Sequence, residues 1–118
     1  MAIVTIKGEE FSIDFNEATQ AIIFRGTVRL KTSEDYAPVV ALLNKGCGEG
    51  FGQNLVLDFR QLNFLNSSGT NAISKFVIGA RKQDRISLKV LGNKDIYWQQ
   101  KSLHNLQKLW PKVEIEIM

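Results

Sequence analysis

Residues 54–59, NLVLDF, form a near-continuous apolar run, the pattern of a central strand covered on both faces. Shortly after it come Asn66, Ser67, Ser68 and Gly69, and then at once a periodic apolar segment. Ile73, Phe76, Val77 and Ala80 fall at i, i+3, i+4 and i+7, one face of a helix running from about 67 to 82. A buried strand that turns directly into an amphipathic helix is the unit of an α/β fold.

The rest of the chain extends that unit. Phe11, Ile13 and Phe15 alternate with Ser12, Asp14 and Asn16, as in a half-buried strand. AIVTIKG (2–8) reads as the strand before it, with Gly8-Glu9 as the turn. TQAIIFRG (19–26) is a third strand, which Val28 and Leu30 extend beyond a bend at Gly26. Thr32 or Ser33 then offers an N-cap for a helix over 34–45, with Glu34 and Asp35 suited to its first turn. Pro38 fits only in or near that first turn.

Residues 44–54 hold Gly46, Gly48, Gly50 and Gly52. They follow a helix and precede a strand, the reverse of a phosphate-cradling loop, so they read as a flexible connector. ISLKVLG (86–92) is a strand closed by Gly92-Asn93. Asp95 then caps a helix whose buried stripe is Ile96, Leu103, Leu106 and Trp110. Pro111 stops that helix, and KVEIEI alternates as a final strand. The order predicts a single-domain α/β protein, a mixed β-sheet with about three crossover helices. Its 118 residues suit one domain.

The single cysteine, Cys47, has no intramolecular disulfide partner, which favours a reducing compartment. No stretch reaches the roughly 20 apolar residues of a membrane span, and the N-terminus lacks a signal peptide's basic region. A cytoplasmic protein is the expectation. The net charge of +3 and pI of about 9.1 are modest. The basic residues are dispersed, densest at Arg81, Lys82, Arg85 and Lys89, which reads as a solvated helix end and argues against nucleic acid.

On a helical wheel, Asn71, Lys75, Ile78 and Lys82 lie opposite the apolar stripe, with Ser67 and Ser68 at the margins. Both hydroxyls are then reachable from solvent. A nucleophilic serine would need an activating base and a G-x-S-x-G elbow. The elbow is absent, and the one histidine, His104, shares a polar helix face with Lys101 and Lys108. One Cys and one His make no metal set, and nothing points to a catalytic residue, metal or cofactor. Two readings remain. Either Asn66 or Ser67 merely caps the helix, or a serine accepts a phosphoryl group, whose charge a helix N-terminus tolerates.

VLDFRQLNFLNSSGTNAI resembles the signature segment of STAS domains, named for sulfate transporters and anti-sigma factor antagonists. AIIFRGTVRLKTSEDYAPVVALLN is similar to the family's upstream strand, glycine turn and first helix, and residues 86–117 to its later strand, helix and strand. The resemblance implies a non-enzymatic regulatory domain in which Ser68 occupies the position phosphorylated by a serine-kinase-type anti-sigma factor. A PP2C-type phosphatase would reverse the modification. The implied partner-binding residues are Asn66, Ser67, Ser68, Asn71, Lys75 and Ile78. Asp58 matches the family's strand aspartate, expected near the turn or simply hydrogen-bonded at a strand end. Asn66 stands where the motif has an aspartate. The alternative is a non-phosphorylated STAS-like scaffold or homodimer, with Tyr97 and Trp98 as an aromatic contact patch or else packed under a neighbouring segment.

Overall fold

A computed structural model describes residues 3–32, 34–49, 54–84 and 86–118. Six strands and three helices follow in the order β1 (Ile3–Lys7), β2 (Phe11–Asn16), β3 (Ala21–Val28), α1 (Ala37–Glu49), β4 (Asn54–Leu65), α2 (Ser67–Gln83), β5 (Ser87–Gly92), α3 (Tyr97–Leu109) and β6 (Glu114–Ile117). The predicted mixed sheet with three crossover helices is what forms. Its strand order is β1-β2-β3-β4-β5-β6, with β1–β2 and β2–β3 antiparallel and the later pairs parallel.

That order decides where the helices go. From β3 to β6 each crossover moves one strand in the same direction, and right-handed crossovers then place every helix on one face. Neighbouring rows such as Ile13–Phe24 and Leu57–Val90 line this face. They join Val39, Leu42 and Leu43 of α1, Ile73, Phe76 and Val77 of α2, and Leu103 and Leu106 of α3 in one hydrophobic cluster. Phe24 and Phe59 meet edge to face at its centre, with ring centroids 4.8 Å apart.

The expectation that 54–59 is covered on both faces is therefore corrected. Its alternate residues, Val56 and Asp58, lie on the helix-free face, where ion pairs replace packing: Asp14–Arg25 at 2.6 Å, Asp58–Arg60 at 2.8 Å and Lys89–Glu116 at 2.9 Å.

Element ends differ from the sequence reading in four places. The helix expected over 34–45 runs over Ala37–Glu49, preceded by a turn in which Thr32 Oγ1 accepts from the Asp35 amide at 3.1 Å. It thereby absorbs residues 44–49 of the expected connector. Gly46 allows this: a Cβ there would stand 3.1 Å from Ile22 Cδ1 and 3.2 Å from Leu55 Cδ1, so the bare backbone lets the helix lie close on the sheet. Residues 50–53 of the connector, with Ser33 and Arg85, lie outside the described residues.

Strand β3 runs through the Gly26 bend (φ +89°) as expected, but it starts at Ala21 and ends at Val28, short of Leu30. Strand β4 continues to Leu65 instead of stopping at Phe59. Beyond Asp58 it has left β5, and a buried side chain takes over: Gln99 Nε2 donates to Phe59 O at 2.6 Å and Leu62 O at 2.8 Å. Lastly, Asp95 does not cap α3. The N-cap position is Ile96, without a side-chain bond, and the turn is built by Asn93, whose Oδ1 accepts from the Asp95 amide at 2.9 Å.

Candidate functional site

Helix α2 begins one residue after β4 ends, and Asn66 is the joint. Its backbone is extended (φ −76°, ψ 175°), and its Oδ1 accepts from the Gly69 amide at 2.9 Å, so Asn66 rather than Ser67 is the cap. The same oxygen accepts from the Tyr36 hydroxyl at 2.5 Å, and Nδ2 donates to Leu30 O at 2.8 Å. The Leu30 amide closes the loop by donating to the Tyr36 hydroxyl at 3.2 Å. One amide side chain thus ties the end of β3, the approach to α1 and the first turn of α2. Burial pushes the Tyr36 phenol above its ordinary value, against the hydrogen bonds from Leu30 and to Asn66, and so keeps its proton available to Asn66.

Gly69 is required by this closeness. A Cβ there would collide with Leu65 Cδ1 and stand 2.8 Å from the Tyr36 hydroxyl. The small residue of the Ser-Ser-Gly sequence therefore serves packing.

Ser67 is exposed and Ser68 half-buried, and neither side chain is hydrogen-bonded within the described residues. Ser68 lines a shallow groove of about 140 Å³ between α1 and α2, with Tyr36, Val40, Asn71, Ala72 and Lys75. The sequence-derived set is thus divided by the fold. Ser68, Asn71 and Lys75 share the groove, Ser67 stands in solvent beside it, and Ile78 lies half-buried further along α2. The Asn66 amide is turned inward and spent on Leu30, Tyr36 and Gly69. Tyr36 and Val40 had no sequence signal, because their place beside Ser68 depends on how α1 packs on α2.

Asp58 is not part of this turn. It is 6% exposed, and its carboxylate accepts from the Arg60 amide and Nε at 3.0 Å each and from Nη2 at 2.8 Å. Burial pushes its carboxyl up, but the Arg60 hydrogen bonds and the charges of Arg60 and Arg25 outweigh that and hold it below the usual value. Asp58 is hydrogen-bonded as the alternative expected, but within β4 rather than at its end, and the expectation of a place near the turn is corrected. Asp58 lies on the order of 25 Å along the strand from Asn66, at about 3.3 Å per residue.

At the start of α3 the two aromatics part company. Tyr97 is 93% exposed. Trp98 is half-buried against the core, and its Nε1 donates to Asn63 O at 2.9 Å, pinning α3 to the end of β4. Among the described residues no group of His, Cys, Asp and Glu is placed to hold a metal, and no helix is long and apolar enough to cross a membrane.

No protein-family model matches the chain, and no curated protein matches it by sequence. Solved structures do. Apo-SiaC from Pseudomonas aeruginosa superposes with a TM-score of 0.75 at 18% identity, over 100% of this chain and 99% of that one. A chain of the complex between the diguanylate cyclase SiaD and its activator SiaC, from the same organism, gives 0.72 at 16% identity over 98% and 99%. An anti-sigma factor antagonist from Mycobacterium paratuberculosis gives 0.53 at 14% identity, over 96% of this chain and 84% of that one. Element order, sheet topology and these superpositions together establish a STAS-like α/β fold, carried on a strongly diverged sequence.

Proposed function

We propose that this chain is a non-enzymatic regulatory domain that docks a protein partner through the start of α2, and that phosphorylation of Ser68 weakens the docking. The observation that carries the reading is the Ser68 side chain: unbonded, at the mouth of a groove shared with Asn71 and Lys75, on a turn held rigid by Asn66. A kinase would transfer the γ-phosphoryl group of ATP to Ser68 Oγ, releasing ADP and the hydroxyl proton. A PP2C-type phosphatase would return inorganic phosphate by hydrolysis. The added charge of about −1.5 to −2 lies at a helix start, where the fold tolerates it while the docking surface changes.

Two partner classes fit the fold's company. One neighbour, SiaC, is the activator of a diguanylate cyclase, and another is an anti-sigma factor antagonist. The resemblance to the STAS signature adds a kinase-type anti-sigma factor as the partner of the second class. A serine-kinase-type anti-sigma factor or a related regulator is the partner proposed here. Binding of that partner by Ser68→Ala and its loss in Ser68→Asp is the expected pair of results. Equal binding by both variants overturns the switch.

A further inference from the structure

Helices α2 and α3 lie side by side on the helical face, joined where Arg81 Nη1 donates to Leu109 O at 2.9 Å. Across Ser67–Gln83 and Tyr97–Leu109 there are five basic residues, Lys75, Arg81, Lys82, Lys101 and Lys108, and no acidic one. All five are exposed. The remainder of the chain holds the other ten Lys and Arg and all twelve Asp and Glu, a net charge of −2. The overall +3 therefore hides a segregated molecule.

Ion pairing follows the same division. Salt bridges among the described residues include Asp14–Arg25, Glu10–Arg29, Glu17–Lys45, Asp58–Arg60, Lys89–Glu116 and Asp84–Lys112. None uses any of the five cations on α2 and α3. A merely solvated helix surface commonly mixes signs and gains from pairs three or four residues apart. Within the two helices that option is absent, and Asp84, the α2 C-cap three residues after Arg81, pairs with Lys112 instead, so like charges are left facing outward.

We infer that the outward face of α2 and α3 is an electrostatic docking surface for a protein partner with an acidic surface. Uncompensated charge of one sign steers and orients a partner of the other. A protein fits better than nucleic acid because the face also carries half-buried Ile78 and the amides of Asn71 and Asn105, and its one strongly exposed aromatic, Tyr97, stands at the far N-terminal end of α3. The surface is continuous with the Ser67–Ser68 turn through Asn71 and Lys75. A phosphate on Ser68 would neutralise Lys75 and repel the incoming carboxylates, which gives the switch its sign. That last point rests on the docking role proposed above for the turn.

The test uses a fluorescent oligo-glutamate peptide and a DNA duplex of equal charge, titrated by anisotropy against the full chain at low and physiological salt. Wild type should bind the peptide with an affinity that falls as salt rises. Lys75→Gln/Lys82→Gln/Lys108→Gln should lose about ten-fold, whereas Lys7→Gln/Lys31→Gln/Lys89→Gln, with the same charge change elsewhere, should lose far less. Circular dichroism on both triple variants separates lost binding from lost folding. Equal losses in the two triple variants, or tighter binding of DNA than of peptide, overturns the surface. If Ser68→Asp binds the peptide like wild type while the α2–α3 triple variant does not, the surface stands and the switch at Ser68 fails.

Discussion

Asn66 and Tyr36 are thirty residues apart in sequence, yet the Tyr36 hydroxyl donates to Asn66 Oδ1 at 2.5 Å while Asn66 Nδ2 reaches Leu30 O at 2.8 Å. This explains why an asparagine stands where the STAS signature has an aspartate. The position needs an acceptor for Gly69 and Tyr36 and a donor for Leu30, and a carboxylate supplies only the first. Asn66→Asp should therefore destabilise the protein by about 1–3 kcal/mol at neutral pH, since Leu30 O loses its donor and faces a charge. Urea unfolding of the variant measures this, and unchanged stability would show that the Leu30 bond is unimportant.

Gly69→Ala tests the packing of the same turn. The new methyl would press on Leu65 and on a Tyr36 hydroxyl that cannot move without breaking its bonds to Asn66 and Leu30. A loss of about 1–3 kcal/mol is expected. Gly79→Ala is the matched control, because nothing lies within 4 Å of a Cβ there. It should be neutral or stabilising, since alanine favours a helix over glycine by roughly 1 kcal/mol.

What the sequence revealed depended on whether local periodicity and tertiary packing agreed. They agree in α2, expected over 67–82 and found over Ser67–Gln83, because its apolar stripe is regular and Asn66 caps it directly. They disagree in α1, where glycines suggest a loop but Gly46 is selected by contact with Ile22 and Leu55. Polar Arg60, Gln61 and Asn63 hide the second half of β4, which is held by β3 on one side and Gln99 on the other. At the site, the wheel brought Asn71 and Lys75 together with the serines. It had no means of adding Tyr36 and Val40 from another helix or of turning the Asn66 amide inward.

Gln99 is expected to matter strongly for stability although it is polar. It is fully buried, with Nε2 bonded to Phe59 O and Leu62 O and Oε1 accepting from the Asn93 amide at 2.8 Å. Gln99→Leu preserves most of the volume but strands two buried carbonyls, Phe59 O and Leu62 O, and the part-buried Asn93 amide. A loss of about 2–4 kcal/mol is expected, measured as a shift in urea midpoint at constant m-value.

Asp58 sets part of the acid limit. Its folded-state pKa is depressed by Arg60, so its contribution is fully present above the unfolded carboxyl value of about 3.9 and disappears as pH falls through the lower folded value. Wild type should thus lose stability more steeply than Asp58→Asn as pH falls from that unfolded value through the lower folded one, measured by thermal unfolding from neutral pH to acid. Parallel profiles would remove Asp58 from the account.

The central claim is that the Ser68 hydroxyl is a modification site on a docking surface. Intact-mass measurement of the protein purified from its native host, with and without phosphatase treatment and with the site assigned by fragmentation, tests it most directly. The account predicts a fraction heavier by one phosphoryl group, located at Ser68 and removed by phosphatase. A single unmodified mass under every growth condition, or a phosphoryl group on another residue alone, would contradict it.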